Sequence, residues 1–121
     1  MSNNKNLIVP DKEKGKKMFK IIVFVPQSHI DSVKIALFNS GAGKIGDYDC
    51  CSFETIGTGQ FRPLPGSRPF LGTENEVEKV VEIKLEMVCS ENNIKKAIEA
   101  MKKAHPYEEV AFDIIKLESS Y

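Results

Sequence analysis

Apolar positions along this chain cluster into six runs whose spacing changes from run to run. Met18-Phe19-Lys20-Ile21-Ile22-Val23-Phe24-Val25 is β-branched, aromatic and almost continuously apolar, the pattern of a strand buried on both faces, and Pro26 stops it. Ile30, Val33, Ala36 and Leu37 then recur at helical spacing. Ser28 with Asp31 three residues later is a helix N-terminal signature, the acid standing in for the usual Glu, and Gly41 stands where a C′ glycine belongs. An amphipathic helix is predicted from Ser28 to about Ser40. The turn segment 41–47 lacks the glycine spacing of a phosphate loop, and Tyr48 to Ile56 reads as a second strand.

The clearest strand comes later. Val81, Ile83, Leu85 and Met87 share one face and Glu82, Lys84 and Glu86 the other, with a period of two. Ser90 is placed to cap a second helix with the stripe Ile94, Ala97, Ile98 and Met101, which Pro106 ends. Val110, Phe112 and Ile114 alternate with Ala111, Asp113 and Ile115 in a last strand. The order β-α-β-β-α-β is the ferredoxin-like α+β motif, a four-stranded antiparallel sheet with two helices on one face. Right-handed crossovers place the first and third strands in the middle. The residues expected to be buried are Ile21, Val23, Val33, Leu37, Ile83, Leu85, Ile98, Met101 and Phe112.

Between the second and third strands lies a long excursion, Gly57 to Glu76, with four glycines and three prolines in twenty residues. A disordered linker would be polar, yet this one holds Phe61, Leu64, Phe70 and Leu71, which need something to pack on. It is therefore read as ordered, and it carries both arginines of the chain, Arg62 and Arg68.

Charge balances to zero over 121 residues, but unevenly. Residues 1–20 hold six lysines against Asp11 and Glu13, and the remainder is acidic. Residues 1–17 are read as a flexible arm and 18–118 as one domain. The folded part shows no basic stripe, which argues against nucleic acid as a partner. No apolar run approaches the ~18 residues a membrane span needs, and residues 1–17 lack the apolar stretch of a signal peptide. Three cysteines, two of them adjacent at Cys50-Cys51, do not make a disulfide framework. A cytoplasmic location with reduced thiols is expected.

Candidate chemistry concentrates at His105-Pro106-Tyr107-Glu108-Glu109. One reading makes His105 a cation at a helix C-terminus, with the proline blocking extension and both glutamates solvated. The other takes an imidazole and carboxylates within five residues as one corner of a divalent metal site, His105 and Glu108 being the ligands. His29 is too isolated to count. Cys50 and Cys51 alternate if they lie in a strand, so only one can face a given site, and free cysteine behaves mostly as a small hydrophobe. Arg62 and Arg68 suit an anionic ligand or simply neutralise nearby acids. No nucleophile–base–acid set is visible.

Several of these segments together carry a resemblance. Gly43-Lys44-Ile45-Gly46-Asp47-Tyr48-Asp49-Cys50-Cys51-Ser52-Phe53, Gly57-Thr58-Gly59-Gln60-Phe61-Arg62-Pro63, Gly72, and His105-Pro106-Tyr107-Glu108-Glu109-Val110-Ala111-Phe112-Asp113 resemble the domain inserted in many bacterial members of the NGG-interacting factor three (Nif-three) family, the YqfO type. The resemblance covers about residues 18–118. It implies a standalone PII/CutA-like module with the ferredoxin-like fold, and relatives of that shape commonly form trimers by extending their sheets. Full-length members bind a metal pair through segments flanking this insert. This sequence lacks them, so that site and any hydrolase or cyclohydrolase activity do not carry over.

The reading taken forward is a non-enzymatic oligomeric module, trimer or dimer, that binds a small ligand or divalent metal in a regulatory role and reports it to a protein partner. The alternatives are a metal-dependent hydrolase with His105 and Glu108 as base and acid at a subunit interface, and a purely structural oligomer. The cofactor is left open, a divalent metal ion being the candidate. Ligand-binding residues are expected at Gly57, Thr58, Gly59, Phe61, Arg62 and Tyr107, and metal ligands at His105 and Glu108. With the last strand and the second strand on opposite sheet edges, these regions stand roughly 14 Å apart at ~4.8 Å per strand, which favours a cleft between subunits.

Overall fold

The computed structural model describes residues 17–118. Of the arm expected over 1–17, only Lys17 falls within them. The elements run β1 (Met18–Pro26), α1 (Ile30–Asn39), β2 (Phe53–Phe61), β3 (Glu78–Ser90), α2 (Glu91–Ala104) and β4 (Phe112–Lys116). The sheet order is β2-β3-β1-β4 with every pair antiparallel, the ferredoxin-like arrangement the pattern predicted. β1 and β3 occupy the centre; Ile21, Val23 and Val25 of β1 face the helices, while Ile22 and Phe24 lie on the face without a helix.

Register sorts the side chains. Val23 faces Leu85 and Ile21 faces Met87 across the β1–β3 ladder. These residues meet Val33 and Leu37 of α1 and Ala97 and Met101 of α2 in one core, all of them nearly inaccessible. Ile98 and Phe112, also expected inside, are half-buried against that core. The other face of the sheet carries no helix, and there Ile22, Phe24, Glu82, Lys84 and Glu86 lie side by side.

Several local expectations are corrected. Ser28 does not cap α1. Residues Gln27–His29 form a single 3-10 turn, the Ser28 hydroxyl bonds His29 Nδ1 at 2.8 Å, and α1 starts at Ile30. The far end follows expectation, with Gly41 at φ +95° and its N–H on Phe38 O at 3.0 Å. Ser90 stands at the head of α2 without a side-chain cap, and the Glu91 N–H is instead taken by Lys17 O at 2.9 Å.

The largest shift is in β2, which runs from Phe53 to Phe61 rather than from Tyr48 to Ile56. Cys50 sits at φ +55°, a left-handed conformation that breaks an extended run, and Ile45 bridges Tyr48 in a tight turn before it. Strand alternation therefore does not apply to Cys50 and Cys51. At its other end β2 continues through the glycines, because Glu78 to Glu82 at the start of the long β3 need backbone partners and find them in Gly57 to Phe61. No described helix is long and apolar enough to cross a membrane.

Candidate functional site

The excursion shortens to residues 62–77, and its own chemistry folds it. Leu64-Pro65-Gly66-Ser67 makes a turn with Pro65 and Gly66 central. Gly66 has φ +95°, and the Ser67 N–H reaches Leu64 O at 3.1 Å. This is the type II pattern, where only glycine takes the third position without strain. Asn75, at φ +65°, closes the base by donating its N–H to Pro63 O at 2.6 Å. The loop then docks on the segment after α2. The Arg68 N–H donates to Glu108 Oε1 at 2.9 Å, and the Phe70 ring meets His29 edge-on at 5.4 Å and Tyr107 at 6.4 Å.

Between these two segments, at the end of the sheet where β1 stops and β3 begins, lies a cleft of about 400 Å³. Phe24 and Glu82 belong to the sheet, Phe61, Arg62 and Phe70 come from the loop side, and Tyr107 and Glu108 close the opposite wall. Tyr107 fixes the join. Its hydroxyl donates to Glu82 Oε2 at 2.9 Å, and its ring lies 6.0 Å from that of Phe61. Burial raises the Tyr107 phenol well above its ordinary range, and the bond to Glu82 and that carboxylate's charge push the same way. The phenol therefore acts as a donor.

His105 lies beneath the cleft, only 6% exposed. Its Nε2–H donates to Phe24 O at 2.7 Å and its Nδ1 accepts the Tyr107 N–H at 3.1 Å, an assignment that follows from the two partners. Desolvation lowers its pKa, against the opposing pull of the Phe24 carbonyl and the Glu82 charge. The ring is a neutral strut that orients Tyr107, with neither nitrogen free for a metal. One oxygen of Glu108 is held by the loop backbone, and among the described residues no three His, Cys, Asp or Glu side chains gather.

Of the residues singled out in the sequence, Phe61, Arg62, Tyr107 and Glu108 converge on the cleft. Gly57, Thr58 and Gly59 line an adjoining groove on the same sheet, which shares Phe24 and Glu82 with the cleft. Gly59 is there for room, since a Cβ at that position would run into the Glu82 carboxylate. The expected gap across three strand spacings does not arise. The chain after α2 leaves the line of β4 and carries Tyr107 over to Glu82 of β3, so one chain forms the cleft. Sequence reasoning missed Glu82, Phe24 and the placing of Phe70. The available signal was Gly57 and Gly59 at i, i+2, which strip one face of a strand beside an acidic position of its neighbour.

No family model matches the chain. The curated "GTP cyclohydrolase 1 type 2 homolog" of Halalkalibacterium halodurans is 45% identical over 100 residues, 83% of this chain and 27% of that protein. Its Bacillus subtilis counterpart is 46% identical over 101 residues, 84% and 27% of the two chains. The Bacillus cereus protein related to NIF3 superposes with a TM-score of 0.74 at 41% identity, over 85% of this chain and 26% of that one. This chain is a relative of the NIF3-related proteins. It spans about a quarter of the length of the curated relatives it matches. CutA from Xylella fastidiosa aligns with a TM-score of 0.62 at 15% identity over 86% of each chain, a likeness of fold. The resemblance to the Nif-three family is therefore found in both sequence and structure, and the CutA-like shape in the fold.

Proposed function

We propose that this NIF3-related module is a non-enzymatic, self-associating regulator that binds a small organic ligand in the cleft between residues 62–77 and the segment after α2. The observation that carries this reading is the Tyr107–Glu82 hydrogen bond inside a cleft walled by Phe61 and Phe70. Concave, mostly apolar sites of ~300–1,000 Å³ with a few oriented polar groups are the usual form of small-molecule pockets. The chemistry of the site favours binding over turnover, because His105 has both nitrogens engaged and the Tyr107 phenol holds its proton. The chain matches about a quarter of the relatives named GTP cyclohydrolase 1 type 2 homolog, and the activity in that name is not assigned to it.

Self-association is proposed through the helix-free face. Phe53 of β2 and Ile115 of β4 point to that face by register and are 68% and 47% exposed. Sheet edges and apolar positions of this kind are a liability unless covered. A trimer is the expected assembly by resemblance. The ligand reading is tested by screening aromatic fragments against the full chain by amide NMR. Hits should move the resonances of Phe61, Phe70 and Tyr107, and Phe70→Ala should abolish them while the fold persists. Hits that move only distant residues would remove the cleft from consideration.

A further inference from the structure

The cleft joins aromatic rings to an excess of negative charge. Phe24, Phe61, Phe70 and Tyr107 line it, together with the carboxylates of Glu82, Glu108 and Glu109. Arg62 is the one cationic side chain of that lining, so carboxylates outnumber it three to one. The rings are tilted rather than stacked, Tyr107 standing at 57° to Phe61 and 46° to Phe70, so they do not cover one another face to face. Among the described residues each of two carboxylates is engaged through one oxygen. Tyr107 engages Oε2 of Glu82, and the Arg68 N–H engages Oε1 of Glu108.

A ring face carries the negative end of a quadrupole and attracts a cation, and the attraction grows as water is excluded. A phosphate or carboxylate ligand would meet three carboxylates and a single guanidinium here. An organic ammonium would meet ring faces and carboxylate oxygens while its apolar body covered Phe61 and Phe70. We propose that the cleft takes a cationic organic molecule, an alkyl- or aryl-ammonium with an apolar body. This inference rests on the cleft being a ligand site and adds the charge class of the ligand.

Three probes of one shape separate the two statements: phenethylammonium, neutral 2-phenylethanol and anionic 3-phenylpropanoate, each titrated into the full chain and followed by the amide shifts of cleft residues. The ammonium is expected to bind about tenfold more tightly than the alcohol, and the carboxylate most weakly. Glu82→Gln and Glu108→Gln should each weaken the ammonium by a larger factor than the alcohol, so that the ammonium's advantage shrinks, once thermal melting has shown both variants folded. Should Glu82→Gln fail to fold, Glu109→Gln, whose residue sits at the rim, takes its place. Equal affinities for all three probes, tightest binding of the carboxylate, or an advantage untouched by the Gln variants would overturn the cationic class and leave the cleft as a binding site. If no probe shifts the cleft resonances, both statements fall.

Discussion

The hydroxyl of Tyr107 and the carboxylate of Glu82, 2.9 Å apart, tie the segment after α2 to the central strand β3. The bond is one between a neutral donor and a charged acceptor, and it is partly shielded by the Phe61 and Phe70 rings. Hydrogen bonds to charged groups contribute ~1.5–3 kcal/mol when buried, and water can replace part of this one, so Tyr107→Phe should lose about 1–2 kcal/mol in urea denaturation. The phenol also gives the bond a pH signature. Its pKa is raised in the folded state above the ordinary 10.0, so the folded chain holds this proton more firmly than the unfolded one. That contribution is complete below pH 10 and is lost as the pH climbs above it. Tyr107→Phe should flatten the alkaline fall in stability, and an unchanged alkaline limb would remove the bond's stabilising role.

His105 gives the opposite limb. Its folded pKa lies below the ordinary 6.5, mainly through burial, and protonating Nδ1 would destroy the bond it accepts from the Tyr107 N–H. Its contribution is therefore complete above pH 6.5 and is lost as the pH falls below it. Stability measured between pH 7 and 5 should drop in the wild type and drop less in His105→Gln. A variant that follows the wild-type curve would show that other groups govern the acid side.

The framework of this fold was legible because β1 and β3 advertise themselves. The unbroken apolar run Ile21 to Val25 and the alternation Val81 to Met87 identify a central and a half-covered strand with no tertiary information. The limits of β2 were not legible, since Gly57 and Gly59 argue against a strand by local preference and are recruited only because β3 is long enough to need them. The site divides the same way. Phe61, Arg62, Tyr107 and Glu108 stand out by type and setting, whereas Glu82 is one of three charged positions on the polar face of its strand until register places it beside the glycines. The role of His105 was not readable either, because the carbonyl that satisfies it belongs to Phe24, far away in sequence.

The two glycines of β2 should respond differently to the same substitution. A Cβ at Gly59 would collide with the Glu82 carboxylate, the end of a flexible side chain that would swing away and drop its bond to Tyr107. Gly59→Ala should therefore cost about as much as Tyr107→Phe, and the double variant little more than either alone, since both remove one interaction. Nothing lies within 4 Å of a Cβ at Gly57, where relief of glycine's backbone entropy should leave Gly57→Ala neutral or up to ~1 kcal/mol more stable. Additive losses at Gly59 and Tyr107 would mean that Glu82 does not couple them.

Core placement gives a direct test of the packing. Leu85 is fully inaccessible, pairs with Val23 and belongs to the cluster that joins both helices to the sheet. Leu85→Ala should cost ~2–5 kcal/mol, from lost transfer energy and the cavity left behind. A loss under about half a kcal/mol, far below that range, would contradict the core described here.

The helix-free face supplies the last test. Ile22 lies on it and is only 8% exposed, while Phe53 and Ile115 on the flanking strands stand open. If identical chains cover this face, light scattering at tens of micromolar should report an oligomer, and a charge placed at its apolar points should dissolve it. Phe53→Glu or Ile115→Asp should lower the assembly mass and leave the chain folded by circular dichroism, because neither residue belongs to the core cluster. The fragment titration can be repeated on such a monomer. Because one chain supplies Phe61, Phe70, Tyr107 and Glu82, binding should survive dissociation. A wild-type monomer would sink the self-association proposal, and an oligomer indifferent to both charges would move the interface to another face.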